Sequence, residues 1–192
     1  MANRHDDKPK GRGRGAMKLG LISAAAMPVA LVLAQPAIAA HADDRAAIVN
    51  AVMRYGELHD FGTPEDYAAQ FTADAEIVLS GQVVAKGRDA LVAQAKRDHE
   101  RFGMTLPDGT QTSLMRHLIS NVVVERLDAR HATASSYVVT IIRDGDDGPK
   151  ILSVGRYLDE FQRIGGEWKI GRRTILLDFG DTKLGRKYGF GK

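Results

Sequence analysis

SLMRHLISNVVVERL (Ser113–Leu127) is the first of four long β-rich segments that decide the fold of this chain. The other three follow at short intervals: ATASSYVVTIIR (132–143), ILSVGRYLDEFQRI (151–164) and EWKIGRRTILLDF (167–179). Turn residues separate the segments, such as the Gly165-Gly166 pair before the last one. Short connections favour antiparallel pairing, because a parallel crossover needs a dozen or more residues. We therefore predict an antiparallel meander over residues 113–179.

The residues before this meander have a helical pattern. Asp43 or Asp44 can cap a first helix, whose apolar residues recur at helical spacing up to Tyr55 and which is expected to break at Gly56 and Gly62. Thr63 followed by Pro64 is a typical helix start and predicts a short second helix that reaches Phe71.

A hairpin and a third helix are expected next. Glu76–Leu79 and Gln82–Ala85 flank Ser80-Gly81 and predict a short hairpin. A third helix follows Gly87 and shows one apolar face, and residues 103–110 are expected to form a loop. Helices followed by a meander of long strands predict an α+β domain over residues 40–180, with a loose tail over 181–192.

The first 39 residues have the pattern of a removable signal peptide. A basic stretch over residues 1–18 precedes an uncharged, Ala-rich run that ends at Ala37-Ile38-Ala39, a typical cleavage pattern. Cleavage after Ala42 fits nearly as well, Met17 is an alternative start, and an uncleaved membrane anchor is the competing interpretation. We expect a periplasmic or secreted protein that keeps no stable membrane anchor.

Removing this leader changes the charge of the protein. Residues 1–39 contain six of the 27 basic and two of the 24 acidic residues, so the net charge of +3 falls to about −1. A nucleic-acid partner is therefore not expected. The chain has no cysteine, which excludes disulfides, thiolate nucleophiles and iron–sulfur ligation.

Six short motifs follow one another along the chain: YGELHD (55–60), YAAQFTADA (67–75), GRDAL (87–91), RHLISN (116–121), GRYLD (155–159) and GEWKI (166–170). Together they resemble the SnoaL-like branch of the nuclear transport factor 2-like superfamily. The resemblance implies a cone-shaped, curved antiparallel sheet wrapped against two to three N-terminal helices and enclosing a pocket. This family includes scytalone dehydratase, bile acid 7α-dehydratase, steroid isomerases and non-catalytic subunits of dioxygenases, so the fold alone does not fix the function.

The resemblance also implies a catalytic group of three residues: Tyr55, Asp60 and His117. Chemistry beside a carbonyl needs a base with a pKa near neutrality, which imidazole provides. In this hypothesis His117 takes the proton, Asp60 orients the ring, and Tyr55 hydrogen-bonds the developing enolate. Such chemistry needs no metal or organic cofactor. Alternatively, Asp60 is a helix-terminal residue and His117 a structural or surface residue.

Other side chains are weaker candidates for the pocket. By alternation Asn121 shares a strand face with His117, while His59 is expected to be exposed. Of Arg172 and Arg173, one faces inward to meet an anionic ligand, or both are solvated. Three strand aromatics either contact the ligand or belong to the core: Tyr137, Tyr157 and Phe161.

These observations favour a cofactor-independent dehydratase or isomerase. The expected substrate is a small apolar, aromatic or steroid-like carbonyl compound. The alternative is a non-catalytic module that binds a hydrophobic ligand or a partner protein. Because Leu118 and Ile119 place apolar side chains on opposite faces of one strand, a homodimer is also expected.

Overall fold

A computed structural model describes the backbone of residues 30–190 and the side chains of residues 41–190. It contains four helices: α1 (Ala30–Phe61), α2 (Pro64–Ala69), α3 (Arg88–Phe102) and α4 (Thr182–Lys187). None of these described helices is long and apolar enough to cross a membrane. Most of the predicted signal segment lies outside the described residues. Only the backbone of its last ten positions is described, and this backbone is helical.

Six strands form the main sheet, in the order β2-β1-β8-β7-β6-β5. Their bounds are β1 (Phe71–Leu79), β2 (Gln82–Lys86), β5 (Met115–Leu127), β6 (His131–Arg143), β7 (Pro149–Ile164) and β8 (Glu167–Gly180). Two short strands, β3 (Gly103–Thr105) and β4 (Gln111–Ser113), pair as a separate ribbon. The loop predicted over residues 103–110 is therefore limited to residues 106–110. The α+β class is confirmed.

The sheet is mixed rather than purely antiparallel. The predicted hairpin β1–β2 and the meander β5 to β8 pair antiparallel, but β1 lies parallel to β8, with Ile77 opposite Arg173. Local patterns miss this pairing because it joins segments about a hundred residues apart, with the meander and α3 between them.

The first helix does not break at Gly56. It continues to Phe61, and Gly56 instead permits the close approach of β5, since a Cβ at this position would lie 2.9 Å from the carbonyl oxygen of His117. Gly62 follows the helix directly. This contact sets the end of α1 beside the first residues of β5.

The core lies between the helices and the inner face of the sheet. Its main cluster joins Ile48 and Val52 of α1 and Leu91 of α3 to inward residues of the strands, such as Phe161 and Ile170. This burial of apolar side chains is the main force that holds the helices against the sheet.

The prediction of a loose tail from Asp181 is wrong for residues 181–190. Asp181 caps α4 by accepting a hydrogen bond from the backbone N–H of Leu184, whose side chain is buried in a second apolar cluster. Asp144 also holds this segment, because it accepts hydrogen bonds from Lys187 and from the hydroxyl of Tyr188. The cap, the buried leucine and the contacts with Asp144 together order this short segment.

Candidate active site

The end of α1 brings Asp60 against the start of β5. One oxygen of its carboxylate, Oδ1, lies 2.7 Å from Nδ1 of His117, and the other, Oδ2, accepts the backbone N–H of the same residue at 2.8 Å. The carboxylate therefore fixes the ring and assigns the proton to Nδ1. The lone pair of the neutral ring then lies on Nε2. This is the contact that the family resemblance implied.

His59 belongs to the same cluster, so the expectation that it is exposed is wrong. Its side chain is only 4% exposed, and its ring centroid lies 4.5 Å from that of His117. Nε2 lies 3.3 Å from Oδ2 of Asp98 on α3, and Nδ1 lies 3.8 Å from Oδ1 of Asp60. The spacing to Tyr55 could have indicated this position, because residues four apart share a helix face.

These contacts give the two histidines opposite pKa shifts. For His59, burial opposes the charge, but Tyr55 and the carboxylates of Asp60 and Asp98 outweigh it and raise the pKa well above its usual value. For His117, burial and the neighbouring His59 charge lower the pKa, although Asp60 acts in the other direction. The two shifts therefore favour a charged His59 beside a neutral His117.

The carboxyl group between them stays ionised. Burial alone would raise the pKa of Asp60, but its hydrogen bonds to His117 and the nearby ring of His59, 3.8 Å away, lower it to about 2. A neutral imidazole oriented by a permanent carboxylate is the arrangement that general-base chemistry needs.

Tyr55 packs in the same core region. Its ring lies edge-on to His117, with 6.2 Å between centroids, and edge-on to Tyr157 at 5.5 Å. The guanidinium of Arg173 lies 3.8 Å from the centre of the Tyr55 ring and 4.2 Å from that of Tyr157. Tyr55 is therefore held rigidly by its neighbours, one helical turn before His59.

Arg173 is the inward-facing member of the Arg172-Arg173 pair. It is completely buried and forms two hydrogen bonds to Asp159, at 2.7 and 2.6 Å. Because this carboxylate neutralises its charge, Arg173 acts within the core and is not the ligand-binding arginine that alternation suggested.

A cavity of about 630 Å³ opens beside the histidines. Its walls include Tyr55, His59 and His117 together with apolar side chains of the sheet, such as Ile77 and Val138. Residues of the C-terminal segment, including Gly185 and Phe190, also line it. A largely apolar space of this size suits a small organic ligand that meets a few polar groups.

The four other candidate ligand residues occupy different places. Tyr157 lines the cavity, whereas Phe161 is buried in the core and is not among the lining residues. Tyr137 is 54% exposed on the outer face of the sheet. Asn121 is exposed as well, because it has a positive φ of 52° where the pairing of β5 with β6 shifts register, and this bulge breaks the predicted alternation.

The same cluster could also present ligands to a metal ion. Suitable atoms of His59, Asp60 and His117 all lie within 4.8 Å of one another. However, Asp60 already uses both of its oxygens on His117, so a metal would have to displace a 2.7 Å hydrogen bond. The contacts favour acid–base chemistry over metal binding.

Comparisons with known proteins agree with this fold. A nuclear transport factor 2-like protein with a cystatin-like fold from Novosphingobium aromaticivorans is 24% identical, with a TM-score of 0.63, over 84% of this chain and 96% of its own. A candidate scytalone dehydratase from that organism is 25% identical, with a TM-score of 0.60, over 73% of this chain and 88% of its own.

Another structure of the same fold has a different description. The β subunit of a candidate aromatic-ring-hydroxylating dioxygenase from Novosphingobium aromaticivorans is 19% identical, with a TM-score of 0.58, over 74% of this chain and 94% of its own. No curated protein matches the chain. The sequence model of the SnoaL-like domain matches residues 40–174. The chain therefore belongs to the SnoaL-like domain family.

Proposed function

We propose that this protein is a cofactor-independent dehydratase or isomerase that acts on a small apolar carbonyl compound. The observation that carries the proposal is the 2.7 Å contact between Asp60 and Nδ1 of His117 at the wall of the cavity. The neutral ring has its free lone pair on Nε2, which can remove a proton from a carbon beside a carbonyl group.

Tyr55 has the second role in this proposal. Removing a proton beside a carbonyl places negative charge on the carbonyl oxygen, and a phenol hydroxyl can stabilise that charge by a hydrogen bond. The position of Tyr55 in the cavity wall and its 6.2 Å ring distance from His117 support this assignment.

Proton exchange of a simple ketone tests this function without knowledge of the natural substrate. Benzylacetone in D₂O should exchange its α-protons faster with the wild-type protein than in buffer, as measured by NMR. His117→Asn is the matched variant, because the Asn amide can still donate to Asp60 while the Nε2 base is gone. The same exchange rate with both proteins would contradict the proposal and favour a binding protein.

The alternative function is a non-catalytic module that binds a hydrophobic ligand or a partner. It is supported by the similarity to a dioxygenase β subunit and by a cavity whose lining is largely apolar. Benzylacetone binding by isothermal titration without any exchange would favour this alternative.

Export and dimerisation are parts of the same proposal. The basic start, the apolar run and the Ala37-Ile38-Ala39 pattern support a signal peptide, so N-terminal sequencing of exported protein should begin at Ala40 or Asp43.

The exposed outer side chains Leu118, Tyr137 and Leu158 support a dimer formed through this face of the sheet. Light scattering should show a dimer for the wild type and a monomer for Leu118→Lys.

A further inference from the structure

The proposed base His117 leaves a second buried histidine without a role. His59 lies at the cavity wall beside His117, and its Nδ1 has no hydrogen-bond partner among the described residues. A buried polar atom without a partner is costly, so an imidazole kept in this state calls for an explanation.

Helix α3 brings a carboxylate to His59 and provides a second polar side chain of the cavity wall. Gln94 and Asp98 are four residues apart and both line the cavity. The carboxylate of Asp98 approaches Nε2 of His59 at 3.3 Å, and Oε1 of Gln94 is buried without a partner among the described residues. We call His59, Gln94 and Asp98 the polar corner of the cavity. Its atoms suit a ligand hydroxyl group, which both donates and accepts hydrogen bonds.

The charged groups around His59 differ from those around His117, and this difference gives the two rings different roles. The titratable groups that face its ring come from four elements of the fold: Tyr55 and Asp60 of α1, Tyr67 of α2, Asp98 of α3 and His117 of β5. Two of them are carboxylates, which favour the imidazolium form of His59. Two neighbouring groups whose environments push their protonation apart are the usual sign of an acid paired with a base.

We propose that His59, held by Asp98, is the general acid of this site and that the reaction is the β-elimination of water from a hydroxylated carbonyl compound. This inference rests on the proposed function and narrows it from two reaction types to one. An isomerase that moves a single proton could work with His117 alone. A dehydratase also needs a proton for the departing hydroxyl group, and the polar corner provides both the proton and hydrogen-bonding atoms for that group.

The step balances within the site. Nε2 of His117 takes the proton from the carbon beside the carbonyl, and the electrons of that C–H bond form the C=C bond. The C–O bond breaks at the next carbon, and the hydroxyl group leaves as water with a proton from His59. His117 ends with one proton more and His59 with one fewer, and exchange with water in the open cavity restores both.

The 4.5 Å distance between the two rings suits this step. The proton and the hydroxyl group that are lost lie on adjacent carbons, so the acid and the base must reach neighbouring atoms of one ligand. The cavity wall beyond the polar corner is apolar and includes Met115, Leu152 and Ile175, which can contact the rest of the molecule.

Two probes that differ by one hydroxyl group test the inference. The first is benzylacetone, whose α-proton exchange needs only the base. The second is its β-hydroxy derivative, the aldol of benzaldehyde and acetone, which loses water to give benzylideneacetone and is followed by absorbance. In His59→Gln and Asp98→Asn we expect elimination to fall by about 10²-fold or more, while exchange changes by less than about tenfold. Glu100→Gln, an exposed carboxylate on the same helix, should change neither rate.

The outcomes separate the two proposals. Equal losses of both reactions in His59→Gln and Asp98→Asn would overturn the inference and indicate a structural role for this pair, as would unchanged elimination in both variants. Exchange without elimination by the wild type would also overturn it. If His117→Asn leaves exchange unchanged, the proposed function itself fails. Asp98→Asn keeps the His59 ring, so it provides the test if His59→Gln does not fold.

Discussion

Two aspartates of this protein are buried, and each pairs with a different type of side chain. Asp159 of β7 lies directly opposite Arg173 of β8, and the two side chains form a bidentate pair that is almost completely shielded from solvent. Asp60 of α1 is buried to a similar degree but pairs with His117, a residue of the cavity wall. The geometry of each pair is good; the difference lies in the partner.

That difference separates structural from catalytic chemistry. Arginine stays protonated at any ordinary pH, so the Asp159–Arg173 pair is permanently neutralised and cannot exchange a proton with a ligand. Histidine changes its charge near neutrality, so the Asp60–His117 pair can. Of these two buried carboxylates, only Asp60 therefore has a partner that titrates and lines the cavity.

The largest expected effect is on the catalytic pair. Replacing His117 by Asn should lower the rate of benzylacetone exchange by about 10²–10⁴-fold, the usual effect of losing a positioned base. The free energy of unfolding should change by no more than about 1 kcal/mol, since the amide can still donate to Asp60. Urea unfolding and NMR exchange measure the two quantities on the same sample. A large loss of stability with unchanged exchange would reverse the roles assigned to the two pairs.

The structural pair should respond in the opposite way. Arg173→Met leaves the Asp159 charge buried without its partner and should reduce the free energy of unfolding by about 3–5 kcal/mol, as measured by urea denaturation. Arg172→Met is the matched control on the same strand, where a partly exposed ion pair with Glu76 contributes about 1 kcal/mol or less. Similar losses in both variants would contradict the structural role of the buried pair.

The free energy of unfolding should depend on the ionisation of Asp60 at acidic pH. Its pKa is lowered from 3.8 to about 2, so its ionised form stabilises the folded state above pH 4, and this contribution is lost as the pH falls towards 2. The stability difference between the wild type and Asp60→Asn should therefore shrink by about 2 kcal/mol between pH 5 and pH 2. A difference that stays constant over this range would show that Asp60 is not stabilised by its histidine partners.

The smallest effect is expected at Tyr55. Tyr55→Phe keeps the ring packing against Tyr157 and Arg173 but removes one hydroxyl, so exchange should fall by about tenfold or less. NMR exchange with benzylacetone measures it. A loss as large as that of His117→Asn would make the phenol as important as the base and would require a different division of roles.

The fold could be predicted wherever its pattern is local. The β1–β2 hairpin, helix α3 and the four long strands follow from turn residues and periodicity between neighbours in sequence. The parallel pairing of β1 with β8 and the order of α4 depend on contacts between distant segments, which no local pattern contains. The bulge at Asn121 was missed for a related reason. Its extra residue moves the side chains that follow to the other face of the strand, up to a second register shift between Val124 and Arg126.

The candidate site was predicted in part for the same reasons. The resemblance to the family led to Asp60 and His117, which the structure brings into contact. His59 lies four residues after Tyr55, so the two share a helix face. The prediction that His59 is exposed did not take this spacing into account. Asp98 and Gln94 come from α3, and only the tertiary packing of α3 against the end of α1 makes them part of the cavity.

The most direct test of the central claim is the NMR titration of His117 in three proteins. Asp60 raises the pKa of His117 and the charged His59 lowers it, so the two neighbours should have opposite effects when each is replaced. We predict a wild-type pKa below 6.5, a lower value in Asp60→Asn and a higher value in His59→Gln. A titration of His117 that is the same in all three proteins would contradict the account, because the base would then be independent of the groups proposed to control it.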